Sequence, residues 1–366
     1  MTKTLDQMPD VSGQPVLVRL DLNVPVKDGV VVDDFRIKQA LPTIEWLRQK
    51  QAKILIISHI EGGTDTLKPV FEYLRKSLPI SFCVDCVESG NACVEQCQAG
   101  EIVLCENIRL YDGEKRNDKD FAKKLASLAK YYVNDAFSVS HRSHASVVGV
   151  PQFIPGFIGL QFQKEIENLS KAFNPPHPFL FILGGAKFDT KLPLVKKFLN
   201  VADTIYVCGA LANDFYKAKG YEVGSSTISN GVDVSDLLHE SKIVLPADIV
   251  TEDQQVKPVD SIGSQEKMLD AGPQSLAALA PLIKNAKAIL WNGPLGNYEK
   301  GFTQPTIEVA KMVAESGALS LVGGGDTLAA IASAGVEDKF TFISTGGGAM
   351  LDFLANETLP GLQALA

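Results

Sequence analysis

The 366-residue sequence predicts an α/β protein with two doubly wound parallel sheets that face each other across a cleft. Short apolar strands alternate with amphipathic helical runs along the whole chain, a pattern typical of parallel sheets with helical crossovers. The strands form two series, separated by a helical pattern with apolar residues at 162, 166, 169 and 173. Two glycine triplets each follow an apolar run and precede a helical pattern. Backbone amides at such a strand-to-helix junction can bind anions.

The predicted elements run in order along the chain. The first series of strands is Pro15–Leu20, Lys53–Ser58, Ser81–Val84, Ile102–Cys105 and Tyr131–Val133. The second series is Phe179–Leu183, Thr204–Val207, Ala288–Trp291, Ala318–Val322 and Thr341–Ser344. Helices are predicted between them, for example at Asp118–Lys130, Leu192–Asn200, Thr306–Ser316 and Asp326–Ser333. The connecting helix covers residues 161–174, because Asn174-Pro175-Pro176 cannot continue a helix.

Composition argues against two classes of partner. The formal net charge of −8 argues against a broad nucleic-acid surface. The apolar runs have the length of strands and fall far short of the ~20 apolar residues of a membrane span. The chain begins without an apolar signal segment, so a cytoplasmic location is expected.

Four of the six cysteines, Cys83, Cys86, Cys93 and Cys97, lie close together in the sequence. This density raises a zinc site as an alternative. Reduced thiols, part core and part surface, are favoured, because residues three apart in the strand predicted around Cys83 point to opposite faces. Cysteine also packs as a small hydrophobe in a reducing compartment.

Polar side chains at predicted strand ends suggest an anion site in the N-terminal half. The candidates are Asp21, Asn23, Arg36, His59, Arg109 and Arg142. Arginine pairs bidentately with phosphate or carboxylate, and strand-end loops carry function in α/β folds. A surface ion pair explains any one arginine, and a turn explains Asp21 and Asn23. Together, these residues favour a site for a small polyanion.

The C-terminal half contains glycine-rich junctions suited to phosphates. Gly184-Gly185-Ala186 precede Lys187 and Lys191, which are expected on one face of a helix. Neither a Walker A loop nor a G-x-G-x-x-G fingerprint is present, which argues against a NAD-dependent dehydrogenase. A further strand-end loop offers Asn292 for phosphates and Glu299 for a ribose. The glycine triplets are Gly323, Gly324 and Gly325, followed by Asp326 and Thr327, and Gly346, Gly347 and Gly348.

Taken in order, these motifs resemble the phosphoglycerate kinase family over essentially the whole chain. The matching segments are residues 18–25, 34–37, 40–44, 58–59, 106–109, 134–146, 184–187, 291–294, 323–327, 344–349 and the tail at 359–365. One matching segment alone would be weak evidence for the family, but so many segments in the same order make the resemblance specific.

The resemblance implies a two-lobed enzyme that transfers a phosphoryl group reversibly between 1,3-bisphosphoglycerate and ADP. The N-terminal lobe, residues 1–160 plus 352–366, would bind 3-phosphoglycerate. The C-terminal lobe, residues 175–351, would bind the Mg²⁺–nucleotide, ADP or ATP. The resemblance also implies a monomer whose partners are these small molecules, and a cleft that closes when both are bound.

Residue roles are carried over from the resemblance. Asp21, Asn23 and Arg36 would hold the carboxylate and hydroxyl end of the glycerate, and His59, Arg109 and Arg142 would hold its phosphate. Lys187 and Lys191 would contact the nucleotide phosphates and the transferring group, Asp326 the magnesium, Thr327 the phosphates, and Glu299 the ribose. Arg36 and Gly346–Gly348 would contact the phosphoryl group during its transfer, from opposite sides of the cleft.

Two departures from the family pattern stand out. The family continues Ser-His-Leu-Gly-Arg-Pro, where this chain has Ser58-His59-Ile60-Glu61-Gly62-Gly63, so one clamp arginine is absent and substrate binding is expected to be weaker. The loop around Gly209, which lines the adenine site in the family, carries Cys208 and Ala210 in place of glycines. Their side chains are expected to alter nucleotide preference. The alternative to an active kinase is a non-catalytic, nucleotide-binding relative that acts through a protein partner.

Overall fold

The computed structural model describes residues 2–186 and 191–366. The strands are β1 Pro15–Arg19, β2 Val26–Lys27, β3 Val30–Val31, β4 Lys53–Ile57, β5 Ile80–Cys83, β6 Ile102–Cys105, β7 Tyr131–Asn134, β8 Gly156–Ile158, β9 Phe179–Leu183, β10 Thr204–Val207, β11 Ile243–Val244, β12 Asp248–Thr251, β13 Val256–Pro258, β14 Met268–Ala271, β15 Ala288–Asn292, β16 Leu319–Gly323 and β17 Phe342–Ile343. The α-helices are α1 Phe35–Gln49, α2 Lys68–Leu74, α3 Gly90–Gln96, α4 Asp112–Lys115, α5 Lys119–Ala126, α6 Leu160–Leu169, α7 Leu192–Phe198, α8 Ala210–Ala218, α9 Pro273–Asn285, α10 Gln304–Glu315, α11 Gly325–Ala334, α12 Gly348–Asn356 and α13 Pro360–Gln363.

The chain forms two compact units. The first contains Met1–Glu167 and Asn356–Ala366, and the second contains Asn168–Ala355. The end of the chain is anchored in the first unit, where the Gly361 amide donates to the Ser140 carbonyl at 2.8 Å and Leu359 is buried.

The first unit is built on a six-stranded sheet with the order β5-β6-β4-β1-β7-β8, and all its pairings are parallel. Its central strands are apolar and buried, as expected for a sheet covered on both faces. Chain order reverses beside β1, between β4 and β7. Ligands of doubly wound sheets bind outside the carboxyl ends of the strands at such a reversal.

The second unit has a six-stranded parallel sheet with the order β11-β10-β9-β15-β16-β17. Chain order reverses between β9 and β15, so the loops that follow Leu183 and Asn292 lie at the expected ligand position. A separate antiparallel sheet, β13-β12-β14, also belongs to this unit. The prediction of two doubly wound parallel sheets is confirmed.

The sequence pattern missed the short elements. The edge strands β8 and β11 have three and two residues, and the β2–β3 hairpin is equally short. The predicted connecting helix is divided, because α6 ends at Leu169 and a 3₁₀ turn continues over Ser170–Phe173.

All six cysteines are free thiols, and only Cys93 is half-buried while the others are buried. The strand β5 ends at Cys83, so the alternation used to assign Cys83 and Cys86 to opposite faces does not reach Cys86. Among the residues that the structure describes, no His, Cys, Asp or Glu cluster is arranged to hold a metal ion. In the same parts of the chain, no helix is long and apolar enough to cross a membrane.

Candidate active site

The first unit brings Asp21, Asn23 and Arg36 together at the carboxyl end of β1. Arg36, in the first turn of α1, places Nη1 2.9 Å from Asp21 Oδ2 and 3.2 Å from the Asn23 carbonyl oxygen. The Asn23 amide donates to Asp21 Oδ1 at 3.1 Å, and the Ser138 hydroxyl donates to the other oxygen of that carboxylate. The side chains of Asp21 and Arg36 and the backbone of Asn23 therefore form one polar corner, with Arg36 still about one-third exposed.

His59 follows β4 and is buried as a neutral ring. The Arg19 guanidinium lies with Nη2 3.2 Å from His59 Nδ1. Since arginine can only donate, Nδ1 accepts and the proton of the neutral ring is on Nε2. Burial and the positive charges of Arg19 and Arg109 hold the pKa of His59 far below its usual range. His59 is therefore a neutral ring whose Nε2 can donate a hydrogen bond.

A buried network behind His59 was missed in the sequence. Arg19 is fully buried, and its Nε donates to Ser146 Oγ at 3.0 Å. The buried Glu114 carboxylate accepts from that hydroxyl at 2.6 Å and from the Ser146 amide at 2.9 Å. The signal was present, because an arginine inside an otherwise apolar buried strand must be paired.

Arg109 presents a vacant pair of donors. Its side chain is only 4% exposed, and Nη1 pairs with the Glu61 carboxylate. Its Nε and Nη2 are buried without a hydrogen-bond partner among the described residues. These two nitrogens form one edge of the guanidinium, the edge that binds two oxygens of a phosphate side by side. Two unsatisfied buried donors on one edge indicate a place for an anion.

Positive charge extends from Arg109 to neighbouring side chains. Arg142, on the loop after β7, keeps part of its surface exposed, and partial desolvation together with the nearby Arg109 charge lowers its pKa. Burial and the charges of Arg109 and Arg142 lower the pKa of His144 to about 4. The site thus carries guanidinium charge and neutral imidazoles, which suits a phosphate dianion.

In the second unit, three glycine-containing loops contact one another at the chain reversal. The Gly184 amide donates to the Asn292 carbonyl at 2.9 Å, and the Gly185 amide donates to the Pro294 carbonyl at 3.2 Å. A Cβ on Gly184 would lie 2.1 Å from that Pro294 oxygen, so only glycine fits. Gly209, with φ of 63°, is the residue that caps α8 and lies close to Gly185. The backbones of these loops therefore pack directly against one another, an approach that glycine allows because it has no side chain.

Lys191 lies before α7, and the prediction of a helical position for it is wrong. The helix begins at Leu192, with Pro193 in its first turn, a position that proline favours. The Lys191 ammonium is buried and donates to the Gly184 carbonyl, and burial lowers its pKa to about 8. Lys187 lies outside the described residues. Ala186 is exposed at the end of the Gly184-Gly185 loop.

The first glycine triplet leads from β16 into α11. Gly324, with φ of 107°, caps the helix, and Asp326 lies in its first turn. Burial and the nearby Glu299 raise the pKa of the Asp326 carboxyl. The buried Thr327 hydroxyl accepts from the Gly293 amide at 3.0 Å. The side-chain Nδ2 of Asn292 donates to the Gly323 carbonyl at 3.1 Å.

The second triplet leads from β17 into α12, which begins at Gly348. The Gly346 amide donates to Ser344 Oγ at 3.0 Å, and Gly347 has φ of 48°. Gly348 supplies the first residue of a nine-residue helix, whose N-terminus favours negative charge.

The Cys208 side chain is directed into the core of the second unit. Its side chain is fully buried, with Sγ 3.6 Å from the Leu183 carbonyl, and burial raises the pKa of its thiol. The thiol therefore packs in the core of the second unit. Ala210 is half-buried at the first position of α8.

The two units therefore define an α/β phosphotransferase with one basic site and one glycine-rich site. The sequence profile of the phosphoglycerate kinase family matches residues 5–357. Phosphoglycerate kinase from Dictyoglomus turgidum is 43% identical over 97% of this chain and 96% of that protein. This chain belongs to the phosphoglycerate kinase family.

Solved structures agree with this assignment. The structure of phosphoglycerate kinase from Coxiella burnetii superposes with a TM-score of 0.83 at 34% identity, covering 100% of this chain and 99% of that one. The crystal structure of phosphoglycerate kinase from Pyrococcus horikoshii superposes with a TM-score of 0.85 at 31% identity, covering 99% and 98%.

Proposed function

We propose that this protein catalyses the reversible, Mg²⁺-dependent transfer of a phosphoryl group from 1,3-bisphosphoglycerate to ADP, giving 3-phosphoglycerate and ATP. The observation that carries the proposal is the vacant, buried Nε–Nη2 edge of Arg109 beside the neutral His59. Those donors fit the phosphate that both glycerate substrates retain.

The first unit would bind the glycerate through two groups of residues. His59, Arg109 and Arg142 would bind its phosphate, with His59 donating from Nε2. Asp21, Asn23 and Arg36 would hold the carboxylate and hydroxyl end. The Asp21–Arg36 ion pair of 2.9 Å supports this assignment, because it fixes the guanidinium beside the expected position of the reacting carboxylate.

The second unit would bind the nucleotide phosphates. Gly184, Gly185, Ala186, Gly209, Asn292 and the Gly323–Thr327 segment form the expected phosphate loops, and Glu299 would hold the ribose. Lys187 and Lys191 would pair with the phosphates. Asp326 would hold Mg²⁺, which prefers one or two carboxylates together with phosphate oxygens. An ion held there would neutralise charge on the phosphates.

Transfer to a carboxylate needs no general base, because the acceptor oxygen is already anionic. Catalysis then consists of alignment and of positive groups around the phosphoryl oxygens. Arg36, Lys187, Lys191 and the N-terminus of α12 at Gly346–Gly348 would supply them. Replacing Arg36 by alanine should lower kcat by about 10³-fold or more, as the loss of an arginine finger does.

A coupled assay tests the proposal and separates it from a non-catalytic relative. The protein is mixed with 3-phosphoglycerate, ATP and Mg²⁺, and 1,3-bisphosphoglycerate is reduced by a coupling dehydrogenase. Turnover that is lost with a chelator and falls in Arg36→Ala supports the proposal. Nucleotide binding without turnover would contradict it and favour a role through a protein partner. Arg36→Ala activity within a few-fold of wild type would refute the role of Arg36 alone.

We further propose a monomeric cytoplasmic enzyme that acts on small molecules rather than nucleic acids. The six free cysteines support a reducing compartment, where thiols persist without forming disulfides. The lobe limits proposed from the sequence, 1–160 with 352–366 and 175–351 joined by 161–174, assign one substrate to each lobe.

A further inference from the structure

The short loop Ile60–Asp65 is held firmly at the carboxyl end of β4. Asn107 Nδ2 donates to the carbonyl oxygens of Ile60 and Asp65, both at 2.9 Å, so one side chain fastens both ends of the loop. Gly63 has φ of 83°, and a Cβ there would lie 2.6 Å from the Val26 carbonyl oxygen. The loop therefore has a defined backbone that requires glycine at its turn.

This backbone directs Glu61 toward the anion site. The Glu61 amide donates to Asn23 Oδ1 at 2.9 Å, which ties the residue to the polar corner. Its carboxylate pairs with Arg109 Nη1 and lies 3.6 Å from Lys115 Nζ. Partial burial raises the pKa of Glu61, but the hydrogen bond from Arg109 together with the positive charges of Arg109, Lys115 and Arg142 outweighs it, and the net shift is downward. Glu61 is therefore an anion at neutral pH.

Glu61 and the vacant edge of Arg109 act on one guanidinium. The carboxylate uses Nη1, whereas Nε and Nη2 stay unpaired. A phosphate bound on that edge would lie beside the Glu61 carboxylate and share its cation. Like charges repel, and Glu61 cancels part of the charge that attracts the phosphate.

We propose that Glu61 sets the affinity for the phosphate end of the substrate, acting as an internal counter-ion that weakens phosphate binding at Arg109. The inference rests on the proposed function for the identity of the substrate. It assigns a role to the residue itself, in addition to the absence of an arginine from this loop. Glu61 is 49% exposed, and glutamine at this position removes the charge while it keeps an oxygen that can accept from Arg109 Nη1.

The test compares wild type with Glu61→Gln, which removes the charge and keeps the side-chain size. Glu61→Ala is a second variant, which removes the charge without introducing the side-chain amide of glutamine. Glu72→Gln is the matched control. Glu72 pairs with Arg75 at 3.0 Å on an exposed surface, with both side chains more than half exposed. The KM for 3-phosphoglycerate and kcat are measured at saturating ATP. Sulfate binding, measured by calorimetry, probes the anion site without turnover.

In both Glu61 variants, the KM for 3-phosphoglycerate and the Kd for sulfate should fall about five- to tenfold, with kcat nearly unchanged. The affinity should also become more sensitive to salt, because the site gains one net positive charge. Glu72→Gln should change neither constant. An unchanged or higher KM and Kd in folded Glu61 variants would overturn the inference. If wild type shows no turnover, the proposed function fails, but the sulfate titration still decides the role of Glu61.

Discussion

Replacing Arg109 by lysine isolates the contribution of its vacant edge. Lysine keeps the positive charge and can still pair with Glu61, but it has no planar fork. In wild type, Nε and Nη2 are both buried and unpaired, so a bound phosphate would gain two charge-assisted hydrogen bonds. Each contributes about 1.5–3 kcal/mol, and lysine can form only one of them. The loss of one bond corresponds to about 10- to 150-fold weaker binding.

The assay is the KM for 3-phosphoglycerate in the coupled reaction, with the Kd measured by calorimetry. Wild type leaves two buried donors unsatisfied when no ligand is bound, which costs folding free energy. Lysine does not carry these two unsatisfied donors, so Arg109→Lys should retain the Tm of wild type while its affinity for substrate falls. If Arg109 only stabilised the fold, the substitution would lower the Tm instead. Arg75→Lys, at an exposed ion pair on the same unit, is the control. A KM within twofold of wild type in Arg109→Lys would refute the reasoning.

Two further predictions concern pH. Burial lowers the pKa of Lys191 to about 8, so kcat/KM for ADP should decline above that pH. The residual activity of Lys191→Arg should not decline in this pH range, because arginine stays protonated. A decline that still occurs near pH 8 in this variant would show that another group titrates there. Burial raises the pKa of Asp135, whose Oδ1 accepts from the Phe162 amide at 2.9 Å, to about 7. A raised folded-state pKa stabilises the protein fully below about pH 4, and this contribution is lost as pH rises through 7. Between pH 4 and pH 8, denaturant titrations should show a loss of unfolding free energy in wild type that exceeds the loss in Asp135→Asn by up to ~4 kcal/mol. Parallel pH profiles for the two proteins would contradict this prediction.

Strands buried on both faces were predictable because their apolar runs are continuous. Ile102–Cys105, Phe179–Leu183 and Thr204–Val207 have the bounds expected from the sequence. The antiparallel strand Val256–Pro258 was not predicted, since it is short and half-exposed and shows no apolar run. Its pairing with β12 is a tertiary property that the local pattern does not contain.

The candidate site could also be predicted only in part from the sequence. The meeting of Asp21, Asn23 and Arg36 could be predicted, because Asp21 and Asn23 lie on the loop after β1 and the family resemblance gives Arg36 the same ligand group. The position of Arg36 at a strand end was wrong, because Arg36 lies in the first turn of α1. The support of Arg19 by Ser146 and Glu114 could not, because those residues are far away in sequence and reach it only through the fold. The turn of Lys191 toward Gly184 depends on where α7 begins, and helix boundaries are poorly determined by periodicity.

The division of the first unit between the two ends of the chain has a consequence during protein synthesis. Residues 168–355 leave the ribosome before Asn356–Ala366, so the second unit has all its residues while the first still lacks its last segment. Until Gly361 reaches the Ser140 carbonyl, the surface that buries Leu359 stays open to water. The N-terminal unit, though translated first, is thus the last to be completed, which reverses the usual order in which domains mature on the ribosome.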